Sequence, residues 1–187
     1  MQDNDKKLEQ RMYSMVLRQL NPMQKGIQSL HAVVEYSEKI KDEHKYNVCD
    51  RDAYNDWANI FKTMIVLDAG VYIDLIDVMS ALDRLKVPNC AFYEEDLNGL
   101  PTAVCFLADE RVYNTEAYPS YDQYRLLNVN EHNTIDLFPK AYTTTEVENY
   151  KVPEIEDFVS EHFCCDVEEY LRLMELRNFI FSKRLSA

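Results

Sequence analysis

Four polar side chains recur at helical spacing between residues 24 and 35, and together they could hold a polar ligand. They are Gln24, Gln28, His31 and Glu35, separated by four, three and four residues. This spacing places them on one face of a helix. Two amides, an imidazole and a carboxylate offer both hydrogen-bond donors and acceptors. A polar row is also the usual solvated face of a helix, so the spacing alone leaves a functional and a structural interpretation open.

The residues around this row predict the helix that would position it. Asn21 is a favourable N-cap, and Pro22 is tolerated in the first turn. Residues 11–17 before them are apolar and predict a strand, and the helix is predicted to extend to about Lys41. The apolar residues of this helix also recur at helical spacing and are predicted to face the core; they are Met23, Ile27, Leu30, Val33 and Val34.

Strand and helix patterns alternate in the following region of the chain. The charged segment 42–56 is predicted to be a loop, and a helix is predicted between Gly70 and Pro88. The inward residues of that helix are predicted to be Leu75, Val78, Met79, Leu82 and Leu85. Strand patterns occupy residues 61–67, 90–93 and 102–107, with a turn at Asn98-Gly99. The alternation predicts an α/β fold with a mixed four-stranded sheet covered by helices.

The last third of the chain differs in composition. Residues 113–150 are rich in Tyr, Asn and Thr, and the stretch 154–169 holds seven acids and no Lys or Arg. A final helix is predicted from about Asp166. Its apolar stripe is predicted to consist of Val167, Tyr170, Leu171, Met174 and Phe181. We therefore predict a core of residues 1–115 and an acidic C-terminal extension of residues 116–187, which ends in a helix and packs on the core or on a partner.

The composition excludes several classes of protein. Only three glycines are present, which rules out a Walker loop and a dinucleotide-binding fingerprint. The cysteines and histidines show no ligand spacing, so no metal site is predicted. No apolar run approaches the roughly 20 residues of a membrane helix, and the start of the chain lacks an apolar signal region. We therefore expect a cytoplasmic protein without membrane contact.

The formal net charge of −13 limits the possible partners. Proteins that bind a nucleic-acid backbone usually carry a basic face, because neutralised phosphates supply much of the affinity. This chain has 20 Lys and Arg against 33 Asp and Glu. It could therefore offer a nucleic acid only a local basic patch within an unfavourable overall field.

The region around the polar row resembles the beginning of the type-2 peptidyl-tRNA hydrolases. The string LNPMQKGIQSLHAVVEY follows a predicted strand that ends in Val-Leu-Arg at residues 16–18, and it is most similar to short relatives associated with bacteriophages. That family runs from such a strand into a helix with a Gln or Lys in its first turn, followed by a second Gln and then His-Ala. Gln24, Gln28, His31 and Ala32 match this pattern.

A second string, FYEEDLNGLPTAVCFLADE, resembles a later motif of the same family. In that motif an acidic residue precedes a turn and a Thr opens the final strand; the matching residues here are Glu95 or Asp96 and Thr102. Trp57, before the strand FKTMIVLD, also matches the phage-like relatives. The tripeptide Asp68-Ala69-Gly70 spells the family's acidic site, but it precedes a helix here and is not assigned to the site.

The resemblance covers about residues 11–112 and implies hydrolysis of the ester that joins a peptide to the 3′ end of tRNA, without a metal or an organic cofactor. It implies a site at the N-terminus of the first helix and at the turn before the last strand. The implied catalytic residues are Gln24, His31, Asp96 and Thr102. The implied ligand-binding residues are Arg18, Lys25, Gln28, Glu35 and Glu95, of which Arg18 and Lys25 would meet the 3′-terminal phosphates.

A second hypothesis keeps the scaffold without the catalysis. The well-studied enzymes of the family carry a Lys in the first turn of the helix, where this chain has Gln24, and an amide cannot supply that positive charge. The cleft would then be idle or hold a nucleotide-like ligand, the acidic extension would dock a basic protein, and the chain could form a homodimer. A viral protein that acts on a host factor in the host cytoplasm is one form of this hypothesis. A third, weaker option is a cysteine nucleophile at Cys164-Cys165, although their spacing from His162 matches no activated thiol.

Overall fold

The computed structural model describes residues 7–126 and 154–185. Its strands are β1 (Gln10–Leu17), β2 (Thr63–Gly70), β3 (Asn89–Glu94), β4 (Leu100–Asp109) and β5 (Arg184–Leu185). Its labelled helices are α1 (Pro22–Lys39), α2 (Val48–Asp56), α3 (Tyr72–Arg84), α4 (Glu110–Tyr113), α5 (Ile155–Phe163) and α6 (Val167–Phe181). A π-helical turn at Trp57–Phe61 precedes β2, a 3₁₀ turn at Glu95–Leu97 precedes β4, and residues 121–126 are also helical.

The strands form one mixed sheet in the order β3-β4-β1-β2-β5. Strand β1 is parallel to β2 and antiparallel to β4, and β3 is antiparallel to β4. The predicted mixed four-stranded sheet is therefore confirmed, and the two-residue β5 adds a fifth strand beside β2. Because of these strand directions, one end of the strands carries the C-termini of β1, β2 and β3 and the N-terminus of β4. We call this side of the sheet the upper edge.

Helices cover both faces of the sheet. Side chains of β1 alternate between the faces, so that Met12 and Val16 pack in the cluster of α1, whereas Tyr13, Met15 and Leu17 pack in the cluster of α3. The helices that follow the parallel strands β1 and β2 therefore lie on opposite faces. This arrangement creates a crevice above the ends of β1 and β2, which is where ligands bind in many open α/β sheets.

The start of α1 agrees with the sequence prediction, but its orientation does not. Asn21 is the N-cap, with its side chain accepting from the Gln24 N–H, and Pro22 lies in the first turn. Four apolar residues that were predicted to face the core are exposed instead; they are Met23, Ile27, Leu30 and Val34. The buried face of the helix consists of Gln28, Ser29, Ala32, Val33 and Tyr36.

Hydrogen bonds to the sheet explain this orientation. The Ser14 hydroxyl on β1 donates to the Ser29 hydroxyl over 2.9 Å, and Gln28 is bonded to side chains of β3 and β4. The polar groups on this face are thus satisfied when they are buried. The small side chains of Ser29 and Ala32 also allow the helix to approach the strands closely. Hydrophobic periodicity locates the helix, but it does not select the buried face.

Two other expectations were wrong. More than half of the segment predicted to be a loop forms α2, which begins with a capping box between Asn47 and Asp50. Helix α2 was not predicted because its composition is polar, and none of its residues is buried. In α6, Leu171 and Phe181 are exposed, and the buried residues are Tyr170, Leu176, Arg177 and Ile180. The inward face of α3 agrees with the prediction, with Leu75, Val78 and Leu82 buried.

The described part of the C-terminal extension packs against the core. Leu176 and Ile180 of α6 belong to the same apolar cluster as the inward residues of α3. Helix α5 turns Phe158 and Phe163 toward Tyr170, while its acidic residues are exposed; these are Glu156, Asp157 and Glu161. The predictions for residues 127–150 lie outside the described residues. None of the helices within the two described ranges has both the length and the apolar character that crossing a membrane requires.

Candidate functional site

A chain of two hydrogen bonds joins three elements at the upper edge of the sheet. The Thr102 hydroxyl donates to Gln28 Oε1 over 2.7 Å, and Gln28 Nε2 donates to Glu94 Oε2 over 2.7 Å. Thr102 lies near the beginning of β4, Gln28 on α1 and Glu94 at the end of β3. The first two side chains are buried and the third is half-buried. The arrangement presents one carboxylate, in a fixed orientation, at the margin of the core.

The turn between β3 and β4 positions this chain. Asn98 and Gly99 adopt positive φ angles of 57° and 71°. These are left-handed conformations that Asn and Gly accept at low cost. The 3₁₀ turn and these two residues reverse the chain within a few positions. The reversal brings the end of β3 beside the first residues of β4. As a result, Glu94 and Thr102 both lie within hydrogen-bonding distance of Gln28 on α1.

Glu94 was not among the predicted site residues, because the strand was predicted to end one residue earlier. A period of two along β3 could have identified it, since Cys90 and Phe92 pack in the cluster of α1 and Glu94 follows them on that side. Glu95 and Asp96, which the motif implied, are exposed in the next turn. Their assignment stays a prediction.

A cleft beside β3 brings several of the predicted residues together. Glu35 of α1 lines it together with Glu94, Glu95 and Asp96. Lys39 is the only cation among its described lining residues. This acidic cleft, as we call it, would repel a phosphate backbone and attract a cationic group.

His31 lies on the exposed side of α1 and contacts an aromatic side chain of β3. Its ring centroid is 4.5 Å from that of Phe92, with the two rings tilted by 60°. Packing of this kind restricts the orientation of the imidazole. The structure thus places His31 next to the strand that ends in Glu94, although no hydrogen bond between the two is present among the described contacts.

Gln24 has a structural role that the motif did not indicate. Its backbone N–H donates to Asn21 Oδ1 over 2.9 Å, and its side-chain Oε1 accepts from the Asn21 N–H over 3.1 Å. These two bonds form a capping box that closes the first turn of α1. The Gln24 side-chain amide is therefore held at the N-terminus of α1. Its oxygen accepts a hydrogen bond from the Asn21 N–H, and its NH₂ group is the part that can donate a hydrogen bond to a ligand. The neighbouring Lys25 is half-buried.

Arg18 and Asp68 form an ion pair at the ends of the parallel strands. Arg18 Nε donates to Asp68 Oδ2 over 2.9 Å, and the Gly70 N–H donates to Asp68 Oδ1 over 2.6 Å. Burial opposes ionisation of Asp68, but these two bonds and the positive charges of Arg18 and Lys25 outweigh it and lower the pKa of the carboxyl group. The Asp68 carboxylate, which the sequence analysis set aside, is thus a charged group of the upper edge.

The sulfur chemistry and metal chemistry of the described residues are limited. Burial and the charge of Glu169 raise the pKa of the Cys165 thiol to about 11, so the thiolate that a nucleophile requires is disfavoured at neutral pH. The neighbouring Cys164 is exposed. Within residues 7–126 and 154–185, no three His, Cys, Asp or Glu side chains are grouped as ligands of a metal ion.

The upper edge therefore has two electrostatic halves. The half at β3 carries the acidic cleft and the Thr102–Gln28–Glu94 chain. The half at β1 and β2 carries Arg18 and Asp68, with Lys25 nearby. No protein-family model matches the chain, and no curated protein matches its sequence.

Proposed function

We propose that this protein is a peptidyl-tRNA hydrolase-like ester hydrolase, which cleaves the bond between a peptidyl or aminoacyl group and the 3′ end of tRNA. The observation that carries the proposal is the Thr102–Gln28–Glu94 hydrogen-bond chain, because it joins two residues of the resembling motifs to a carboxylate at one edge of the sheet. The resemblance supplies the substrate class, and the geometry supplies a group that can do the chemistry.

Ester hydrolysis requires a base that accepts a proton from water as the water attacks the carbonyl carbon. In this proposal Glu94 is that base, and Gln28 fixes the orientation of its carboxylate. When the tetrahedral intermediate collapses, the bond between the carbonyl carbon and the ribose oxygen breaks, and the proton held by Glu94 is returned to that leaving oxygen. The tetrahedral intermediate carries a negative oxygen, which requires donors. In this proposal the Gln24 amide, one turn before Gln28 on α1, and the positive end of the helix dipole supply these donors. An amide donates without a full charge, so we expect turnover to be slow.

The test measures release of the labelled group from N-acetyl-aminoacyl-tRNA at low salt. Glu94→Gln should reduce the rate by about 100-fold or more, because it removes the base but keeps the size of the side chain. Asp96→Asn, two residues away and exposed, is the matched control, and its effect distinguishes the acid of the motif from the acid of the hydrogen-bond chain. Absence of release by the folded wild-type protein, or equal rates for wild type and Glu94→Gln, would overturn the proposal.

The second candidate function is a binding module for a basic protein segment, and the acidic cleft is the observation that favours it. Among the residues that the structure describes, four carboxylates and a single lysine line the cleft along the edge strand β3. A segment rich in Arg or Lys would complement this charge, whereas a nucleic-acid backbone would not. The exposed acids of α5 are a separate negative surface that the same kind of partner could use.

Two charge-neutralised variants distinguish these surfaces. A fluorescent oligoarginine peptide should bind the wild-type protein more tightly at low salt than at high salt. A variant with Glu35→Gln, Glu95→Gln and Asp96→Asn should weaken this binding if the cleft is the docking site. A variant with Glu156→Gln, Asp157→Asn and Glu161→Gln removes the same number of charges from α5. Equal binding by all three proteins would exclude both surfaces.

A further inference from the structure

We propose that the pocket between α6 and residues 115–123 binds a small monocarboxylate that carries an apolar chain, and that Arg177 holds its carboxylate group. The pocket has a volume of about 480 Å³, which suits a small organic ligand. Nearly all of its described lining residues belong to the C-terminal extension, to which the resembling motifs assign no role. The site is therefore independent of the proposed hydrolase activity.

Arg177 carries a buried donor that the protein does not use. The side chain is 4% exposed, and its Nε donates to the Val112 carbonyl over 2.9 Å. Its Nη2 donates to the carbonyl of Tyr118 over 2.7 Å and to that of Arg111. Its Nη1 is fully buried and has no hydrogen-bond partner among the described residues. Because a buried donor without an acceptor is costly, such an atom indicates a partner that the chain itself does not supply.

The positive charge of Arg177 also lacks a counter-charge in its hydrogen bonds. Its three acceptors are backbone carbonyls, which satisfy N–H groups but carry no net charge. Nε and Nη2 occupy one side of the planar guanidinium, so Nη1 lies on the other side, away from these carbonyls. Arg177 also lines the pocket. An anion that reaches Nη1 would satisfy the donor and the charge together.

The surrounding polar groups are compatible with an anion. The Tyr170 hydroxyl accepts from the Tyr121 N–H over 2.8 Å, so its own proton is available to donate. The side chains of Thr115 and Asn178 add further polar groups to the lining. Asp122 is the one acid among the described lining residues. It is exposed, so solvent screens its charge more than that of a buried guanidinium.

An apolar wall stands beside the buried cation. Leu171, Met174 and Phe181 share one face of α6 and line the pocket together with Ile155. Leu171 and Phe181 are 56% and 55% exposed, although their spacing predicted a buried stripe. A ligand with an anionic group at one end and an apolar chain at the other would cover this wall and reach Arg177.

The arrangement favours a carboxylate over a phosphate. Two of the three guanidinium nitrogens are engaged, so Arg177 cannot offer the bidentate pair of donors that phosphate groups usually receive from arginine. A carboxylate carries a single negative charge, which one guanidinium neutralises. A phosphate dianion would retain an unpaired charge next to the apolar wall, where desolvation is expensive.

The experiment is isothermal titration calorimetry of the full-length protein with hexanoate. Hexanamide has nearly the same size without the charge, acetate has the charge without the chain, and inorganic phosphate is the second anion. We expect a Kd for hexanoate on the order of 1 mM. Hexanamide and acetate should each bind at least about tenfold more weakly, because one loses the charge-assisted bond and the other loses the apolar contact.

Two substitutions change the charge of the pocket without touching Arg177, and both positions are exposed, so the variants should fold. Asn178→Asp adds a negative charge and should raise the Kd of hexanoate about threefold to tenfold. Asp122→Asn removes a negative charge and should lower this Kd about twofold to threefold. Neither should alter the binding of hexanamide. The matched control is Asn55→Asp on α2, which adds the same charge outside the pocket and should match the wild type.

Three results would overturn the proposal. Absence of hexanoate binding by the folded wild-type protein would mean that an ordered water is the partner of Nη1. Equal affinities for hexanoate and hexanamide, or tighter binding of phosphate than of hexanoate, would exclude a carboxylate site. Hexanoate binding that Asn178→Asp and Asn55→Asp affect equally would place the ligand elsewhere on the protein.

Discussion

The hydroxyl of Thr102 donates a hydrogen bond to Gln28 Oε1 over 2.7 Å, although 74 residues separate the two along the chain. Thr102 is fully buried and Gln28 is nearly so. The contact fixes α1 against β4 and orients the amide so that its nitrogen reaches Glu94. A single hydroxyl in the core thus determines the position of the carboxylate at the proposed site.

Replacing this hydroxyl should weaken the fold. We expect Thr102→Val to lower the free energy of unfolding by about 1–3 kcal/mol, because the buried Gln28 Oε1 loses its donor while the size of residue 102 is kept. Thr102→Ser retains the donor and should be the more stable of the two variants. Urea unfolding followed by circular dichroism measures the difference. A valine variant that is as stable as the serine variant would show that the bond contributes nothing.

The exposed apolar stripe of α1 predicts a contrast between two leucines. Leu30 is 59% exposed, so Leu30→Ala should change the free energy of unfolding by less than about 0.5 kcal/mol. Leu75 of α3 is fully buried, and Leu75→Ala should cost about 2–5 kcal/mol. The midpoints of urea unfolding test both values. A large loss for Leu30→Ala would mean that this face of α1 is covered in solution, for example by a second copy of the chain.

Asp68 should make the stability of the protein depend on pH in the acid range. Its pKa is lowered in the folded state, so its contribution is fully present above the ordinary carboxyl pKa and is lost as the pH falls through the lowered value. We expect Asp68→Asn to cost about 1 kcal/mol at pH 7, and the difference from the wild type to vanish as the pH falls below the usual carboxyl range. Thermal unfolding between pH 7 and pH 2 measures this. A difference that stays constant over that range would contradict it.

Arg177 should be essential for holding the extension on the core. It is 4% exposed, and its guanidinium donates to the backbone carbonyls of Val112, Arg111 and Tyr118. Because Arg177→Leu would leave these carbonyls without their donors, we expect it to lower the free energy of unfolding by more than about 3 kcal/mol. Burial also lowers the pKa of this guanidinium, and the opposing effect of Tyr170 does not offset it.

A second arginine of the same helix serves as the control for this prediction. Arg172 is only half-buried and pairs loosely with Glu168, with 3.9 Å between the charged groups. Arg172→Leu should therefore change the stability by less than about 1 kcal/mol. Equal losses for the two variants in urea unfolding would show that the buried position of Arg177 is not what matters.

Local patterns in the sequence predicted the elements of the sheet and most of its strand positions, because strand alternation and N-cap chemistry act over a few residues. The sheet is confirmed as mixed, and Asn21 caps α1 as expected. The same patterns failed for the buried face of α1. The buried face of α1 lies nearly opposite its exposed apolar stripe, and the selection of this face depends on Ser14 and Thr102, which are distant from the helix in sequence.

The candidate site was only partly predictable for the same reason. Gln28 belongs to the predicted row and Thr102 to the later motif, and the structure joins them directly. Glu94 was missed because it is the first of three consecutive acids and the end of a strand is hard to define from sequence. The position of Lys183 beside Arg18 and Asp68 could not be predicted, because the two-residue strand after it has no periodicity and only tertiary contacts bring it there.

The position of α6 in the fold affects how the chain folds while it is being synthesised. Leu176 and Ile180 of α6 join Leu75 and Val78 of α3 in the apolar cluster on one face of the sheet, yet they leave the ribosome long after those residues. Until then the apolar side chains of this face lack their final cover, and a nascent chain in that state is prone to associate with other apolar surfaces. Ribosomes stalled before residue 176 should therefore hold a chain that recruits chaperones, and ribosomes that have extruded α6 should release it.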